Sequence, residues 1–267
     1  MSRLETIGLR AGYADVTILD KIDLVIPDGQ VTILIGPNGC GKSTLLKNMA
    51  RILKPSRGNV LLDGKDIHTL NTRAVAAQLG LLPQGPIAPE GLTVRELVAQ
   101  GRYPHQSLLR QWSRADEDAV NTAMRTAGIT DFADRAVDTL SGGQRQRCWV
   151  AMVLAQDTGL ILLDEPTTFL DLKVQVDLME LFTGLAHDRG HTLVIVLHEL
   201  SLAAAHADHL VMMKAGRIVA SGRPDDIFTA RRLKDVFGLD ANILRDPASG
   251  RLVCVPFSAR RRVEAAQ

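Results

Sequence analysis

The run Gly36-Pro37-Asn38-Gly39-Cys40-Gly41-Lys42-Ser43-Thr44 fits the pattern GxxxxGK[ST] and follows a wholly apolar stretch. Its glycines let main-chain N–H groups curl around a polyphosphate, and the helix start behind them adds positive potential. In that setting Lys42 would bridge the β- and γ-phosphates, and the Ser43 hydroxyl would bind Mg²⁺. Cys40 could be a reactive thiol or could lend only its backbone to the loop; the second reading is preferred. A second signal is Leu160-Ile161-Leu162-Leu163-Asp164-Glu165, an apolar strand ending in two carboxylates. Asp164 is expected to hold Mg²⁺ directly or through water, and Glu165 to orient and deprotonate an attacking water. A third is Leu140-Ser141-Gly142-Gly143-Gln144, a helix start whose glycines leave N–H groups unshielded for a further phosphate contact. Two such cradles beside one nucleotide site make sense if the second serves a nucleotide on another subunit. A plain capping box is the alternative reading.

Short apolar strands alternating with helices must position these groups. Ile22, Leu24 and Ile26 alternate as in a strand, and Pro27-Asp28-Gly29 is a turn. Residues 31–35 read as a strand covered on both faces, followed by a helix over about 42–52. A strand at 59–62 leads to an Asp63-Gly64 turn, then a helix around 71–79 and a strand at 81–82. From 84 to about 158 the character is helical. Thr93 with Glu96, and Ser141 with Gln144, read as capping boxes. Ser113 opens a helix to Gly128 with Asp116, Glu117 and Asp118 in its first turn. Strands at 160–163 and 192–197 flank a helix over about 172–188, with Val176, Met179, Phe182 and Leu185 on one face. The pattern predicts an α/β fold with a helical insertion and strands at the N-terminal edge.

A length of 267 residues suits one large domain or two intimate ones. Lys and Arg total 31 against 30 Asp and Glu, a balance unlike that of a protein coating nucleic acid. Cys40, Cys148 and Cys254 are isolated, which suggests neither a disulfide framework nor a zinc site. His187 with His191, and His206 with His209, lack acidic or cysteine partners in register and read as structural. There is no apolar signal-like start, and no apolar run reaches the ~18 residues of a membrane span. A soluble protein of a reducing compartment is expected, so any membrane-spanning part would belong to another chain.

Together these residues resemble the ATP-binding subunits of ABC transporters, over roughly residues 3–245. The resemblance implies a single domain over 1–267: a RecA-like P-loop NTPase core together with an N-terminal antiparallel β subdomain over about 1–83 and 159–257, an inserted helical subdomain over about 84–158 and a polar tail at 258–267. It places Tyr13 where an aromatic stacks on adenine, and Gln84 where a glutamine senses Mg²⁺ and water and contacts the permease. Thr168-Phe169-Leu170-Asp171 matches the loop that crosses the dimer interface, and His198 the histidine that contacts the γ-phosphate. Each position also has a structural reading: an edge-strand aromatic, a polar loop residue, a helix cap, a core histidine. ATP and Mg²⁺ are the implied ligands. The implied partners are a second copy, membrane permease subunits and, indirectly, an extracytoplasmic binding protein, with the chain at the cytoplasmic face of the inner membrane.

A finer resemblance, to ATPases of ferric-siderophore importers, rests on Gly101-Arg102-Tyr103-Pro104-His105-Gln106, Cys40, residues 140–147, Val153-Leu154-Ala155-Gln156 and the stretch 164–171. Two positions depart from that group: Gln100 stands where Arg is more frequent, and Glu199 follows His198 where Asp is usual. Importers of vitamin B12, haem or metal ions remain alternatives. A soluble ABC-type ATPase acting on nucleic acid or the ribosome is a more remote one.

Overall fold

The computed structural model describes residues 3–106 and 112–258, so Arg260, Arg261 and Arg262 of the expected polar tail lie outside it. In chain order the elements begin with β1 (Leu4–Tyr13), β2 (Val16–Ile26), β3 (Val31–Ile35), α1 (Lys42–Met49), β4 (Arg57–Leu62), β5 (Lys65–Asp66), α2 (Thr72–Ala76) and β6 (Leu79–Leu82). A helical stretch follows: α3 (Val94–Ala99), a 3₁₀ turn (Gln100–His105), α4 (Arg114–Ala127) and α5 (Gly142–Ala155). Then come β7 (Leu160–Asp164), α6 (Leu172–Arg189), β8 (Thr192–Val196), α7 (Leu200–His206), β9 (His209–Lys214) and β10 (Arg217–Gly222). The last described elements are α8 (Pro224–Ile227), α9 (Ala230–Phe237), β11 (Ala241–Arg245) and β12 (Leu252–Pro256).

The strands form an antiparallel sheet in the order β2-β1-β4-β5 and a larger sheet in the order β10-β9-β3-β8-β7-β6. The larger sheet is parallel from β9 to β6, with β10 antiparallel at its edge. Its central strands are apolar at nearly every position because both faces are covered. Ile33, Ile35, Ile161, Leu163 and Ile195 join the core shared with α5, α6 and α7. Leu34, Leu160, Leu162, Val194 and Val196 join the core beneath α1 and the antiparallel sheet. No described helix is long and apolar enough to cross a membrane.

The helix starts follow their side chains. Thr93, Ser113 and Ser141 each close a reciprocal cap with the residue three further on, Glu96, Asp116 and Gln144. Gly128 ends α4 at φ +69°. The helix expected over 42–52 stops at Met49: Arg51 turns left-handed at φ +62°, and Ile52 N–H returns to the Lys47 carbonyl. The helix expected over 71–79 ends at Ala76, because Leu79 already pairs with Leu160 as the first residue of β6. On α6 the buried face is Leu178, Met179, Phe182, Leu185 and Ala186, while Val176 is 36% exposed.

Arg102 of the 3₁₀ turn is buried and joins three pieces of the helical stretch. Its Nε lies 2.9 Å from Asp116 Oδ1, and its Nη1 donates to the Ala155 carbonyl at 2.7 Å. Burial alone would push the Asp116 carboxyl up. The bonds from Ser113 and Arg102 outweigh it and hold the carboxyl below its ordinary range. His105 and Gln156 extend the same seam: His105 Nε2 sits 2.7 Å from the Gln156 carbonyl, and Gln156 Nε2 donates to the Leu79 carbonyl at 3.0 Å.

Candidate functional site: a phosphate loop facing two carboxylates

β3 ends at Ile35, and the chain leaves the sheet at Gly36. A side chain at Gly36 would meet the Met213 carbonyl oxygen at 2.3 Å and Cys40 Sγ at 2.6 Å, so the close approach of β9 requires glycine. Gly41 precedes α1 at φ +105°, a backbone that leaves the first N–H groups of the helix facing outward. Lys42 is buried, and its Nζ donates to the Gly36 carbonyl at 2.8 Å and to that of Pro37 at 3.2 Å. Cys40 is 3% exposed, and burial pushes its thiol up, which favours the backbone reading over the reactive one.

The sheet order assembles the rest. β3, β8, β7 and β6 are parallel neighbours in that sequence, and their C-terminal ends deliver the loop, His198, Asp164 with Glu165, and Gln84 side by side. Tyr13, Ile18, Asn38, Gly39, Gly41, Lys42, Ser43, Thr44, Gln84, Glu165 and His198 line one cleft of about 430 Å³. Gly36, Pro37 and Cys40 belong to the loop but do not line this cleft. Ile18 was not foreseen; it is an ordinary strand residue that enters the site only through the packing of β2.

Glu165 is the most constrained group in the cleft. Its backbone is left-handed at φ +54°, which is costly for a residue with a Cβ and is found at sites that hold strain for function. His198 Nε2 lies 2.5 Å from Oε1, and Gln84 Nε2 donates to Oε2 at 2.6 Å. Thr168 Oγ1 donates to Oε2 at 3.3 Å, a partner that nothing in the sequence signalled. Next to it Thr167 is 1% exposed and bonds Glu199 Oε2 at 3.4 Å, so the Glu that departs from the siderophore pattern has a contact of its own.

Asp164 is 4% exposed and accepts from Ser43 Oγ at 2.9 Å. Burial, with the Glu165 charge adding to it, raises the Asp164 carboxyl above its ordinary range. A buried carboxylate, a hydroxyl and a neighbouring carboxylate form a hard oxygen set, which fits Mg²⁺.

Other expected residues lie elsewhere. Ser141 N–H donates to Gln144 Oε1 at 3.1 Å and Gln144 N–H to Ser141 Oγ at 3.3 Å, so the capping box forms. None of residues 141–144 lines the phosphate cleft. Gly142 instead faces a second cleft of about 220 Å³, which shares Gln84 and Glu165 with the first. Asp171 caps α6 by accepting from Val174 N–H at 3.0 Å. Of the paired histidines, His187 meets Asp208 at 2.9 Å and His191 the Thr158 carbonyl at 3.0 Å. His209 Nε2 lies 2.7 Å from Ser221 Oγ.

Comparison with known proteins gives a consistent picture. The family model described as "ABC transporter" matches residues 19–168. The Probable siderophore transport system ATP-binding protein YusV of Bacillus subtilis (strain 168) is 51% identical over 261 residues, covering 98% of this chain and 95% of that protein. The petrobactin import ATP-binding protein FpuD of Bacillus anthracis is 49% identical, covering 97% and 95%. The ferric enterobactin transport ATP-binding protein FepC of Escherichia coli (strain K12) is 49% identical, covering 96% and 95%. Among solved structures, the dimeric bacterial ABC transporter cassette MJ0796 superposes with a TM-score of 0.73 at 26% identity, covering 83% of this chain and 98% of that one.

Proposed function

The chain belongs to the ABC transporter family of ATP-binding proteins, and from that membership we propose that it is the ATP-hydrolysing subunit of a ferric-siderophore importer. The observation that carries the enzymatic part is the convergence of the phosphate loop, Asp164, Glu165, Gln84 and His198 on one cleft end. The cargo rests on relatives named for siderophore, petrobactin and ferric enterobactin at 49–51% identity.

In this reading the N–H groups of residues 39–44 cradle the phosphates, Lys42 reaches between the outer two, and Tyr13 stacks on the base. Ser43 and Asp164 would hold Mg²⁺, which would supply positive charge against the negative phosphates. Glu165 takes the proton of the attacking water, with Gln84 and His198 holding its carboxylate in register. His198 then contacts the γ-phosphate.

The nucleotide cleft lacks residues 141–144 of its own chain, which supports their service to a second copy. ATP is thus the ligand that favours a closed dimer, with each nucleotide between the loop of one copy and the Ser141–Gln144 segment of the other. The helices between residues 84 and 158 form a subdomain that passes this motion to membrane permease subunits at the cytoplasmic face. A siderophore-binding protein on the other side hands over the cargo. The test is growth of the host on single ferric siderophores with Lys42→Ala. The reading expects growth to fail on one siderophore or a related set, and growth on all of them, with ATPase activity lost, rejects the cargo.

A further inference from the structure

The second cleft contains a group that the proposed chemistry does not use. Trp149, on the second turn of α5, is 7% exposed, and its indole Nε1–H is buried without an acceptor. Buried donors left in that condition are rare in native proteins and call for an explanation. Trp149 lines the cleft together with Gln84, Pro86, Glu165 and Phe169.

Gln84 lines both clefts. Its amide nitrogen is committed to Glu165, which leaves the amide oxygen as its free acceptor capacity. The main chain around it, residues 83–86, takes part in no backbone hydrogen bond among the described residues outside regular elements, and Gly85 is left-handed at φ +58°. A loop so weakly held leaves the Gln84 amide to be oriented by its side-chain partners.

We propose that Trp149 is a positioning residue for Gln84: when nucleotide closes the site, the indole N–H donates to Gln84 Oε1 and fixes the amide with its nitrogen on Glu165. The relay Trp149–Gln84–Glu165 joins α5, whose N-terminus carries Ser141–Gln144, to the carboxylate that handles the water. It rests on the proposed roles of Gln84 and Glu165.

The test is a double-mutant cycle on ATP hydrolysis by the full chain, with Trp149→Phe and Gln84→Ala. Phe keeps an aromatic ring in the packing and removes only the donor end. Trp149→Phe is expected to lower kcat about five- to tenfold, the loss of one buried hydrogen bond, with KM for ATP unchanged. The double variant is expected to be no slower than Gln84→Ala alone. Fluorescence gives a second readout, because the sequence has only two tryptophans, Trp112 and Trp149. In a Trp112→Phe, Glu165→Gln protein, ATP with Mg²⁺ should shift the Trp149 emission, and Gln84→Ala should remove the shift. Multiplicative losses in kcat, or an emission indifferent to nucleotide or to Gln84→Ala, overturn the proposal. Gln84→Ala with undiminished kcat would instead count against the role of Gln84 on which it rests.

Discussion

Asp164 illustrates how a single residue can oppose folding and serve the site. Its carboxyl is raised in the folded protein, chiefly by burial, so the native state binds that proton more tightly than the unfolded chain does. Stability from this group therefore falls as pH climbs from the ordinary aspartate range through the raised value, and at neutral pH the charged form is a net cost. Asp164→Asn is expected to raise the melting temperature of the metal-free protein at pH 7 and to abolish any further rise on adding Mg²⁺ with ATP. Thermal unfolding with and without the metal checks both parts. A lower melting temperature in the metal-free variant would contradict the account.

Among the elements, the 3₁₀ turn and α5 show that Gly101–His105, one of the stretches carrying the resemblance to siderophore-importer ATPases, is a structural seam. Arg102, His105 and Gln156 tie the turn, α4, α5 and β6 together. Gly101 is needed because a side chain there would lie 2.1 Å from the Met152 carbonyl oxygen. The buried Arg102–Asp116 pair should be costly to break from one side: Arg102→Ala is expected to lose about 1.5–3 kcal/mol, because Asp116 then keeps only its bonds from Ser113. Because the Asp116 carboxyl is depressed in the fold, its contribution is full above the ordinary aspartate pKa and is lost as pH falls through the folded value. Denaturant titrations of the wild type and Arg102→Ala should accordingly converge toward acid pH. A constant difference between them would rule out the charge pairing as the cause.

At the scale of the whole molecule, the proposed engine is two copies of the chain. Glu165→Gln should slow hydrolysis by about 10²–10⁴ and let ATP with Mg²⁺ accumulate a dimer visible by sedimentation. Adding Ser141→Arg to that protein should keep it monomeric, since a guanidinium side chain replaces the small hydroxyl at an exposed helix start. Dimerisation of the double variant at the same ATP concentration would remove the Ser141 segment from the interface.

The local devices are legible in the order of residues alone. The phosphate loop, the capped starts of α3, α4 and α5, and the apolar strands leading to Asp164 and His198 depend on neighbours a few residues away, and spacing alone encodes them. The ends of α1 and α2, and the turn of α6 that buries Leu178 rather than Val176, were decided by what each element packs against. The distant meetings depend on how the strands are arranged in the folded chain. Sheet order set His198 and Gln84 on Glu165 across 33 and 81 residues of chain. It also left Ser141–Gln144 outside the phosphate cleft of its own chain and set Trp149 and Gln84 in the lining of a second cleft. A contact between residues far apart in sequence leaves no periodic trace in either one, so only the folded chain brings it into view.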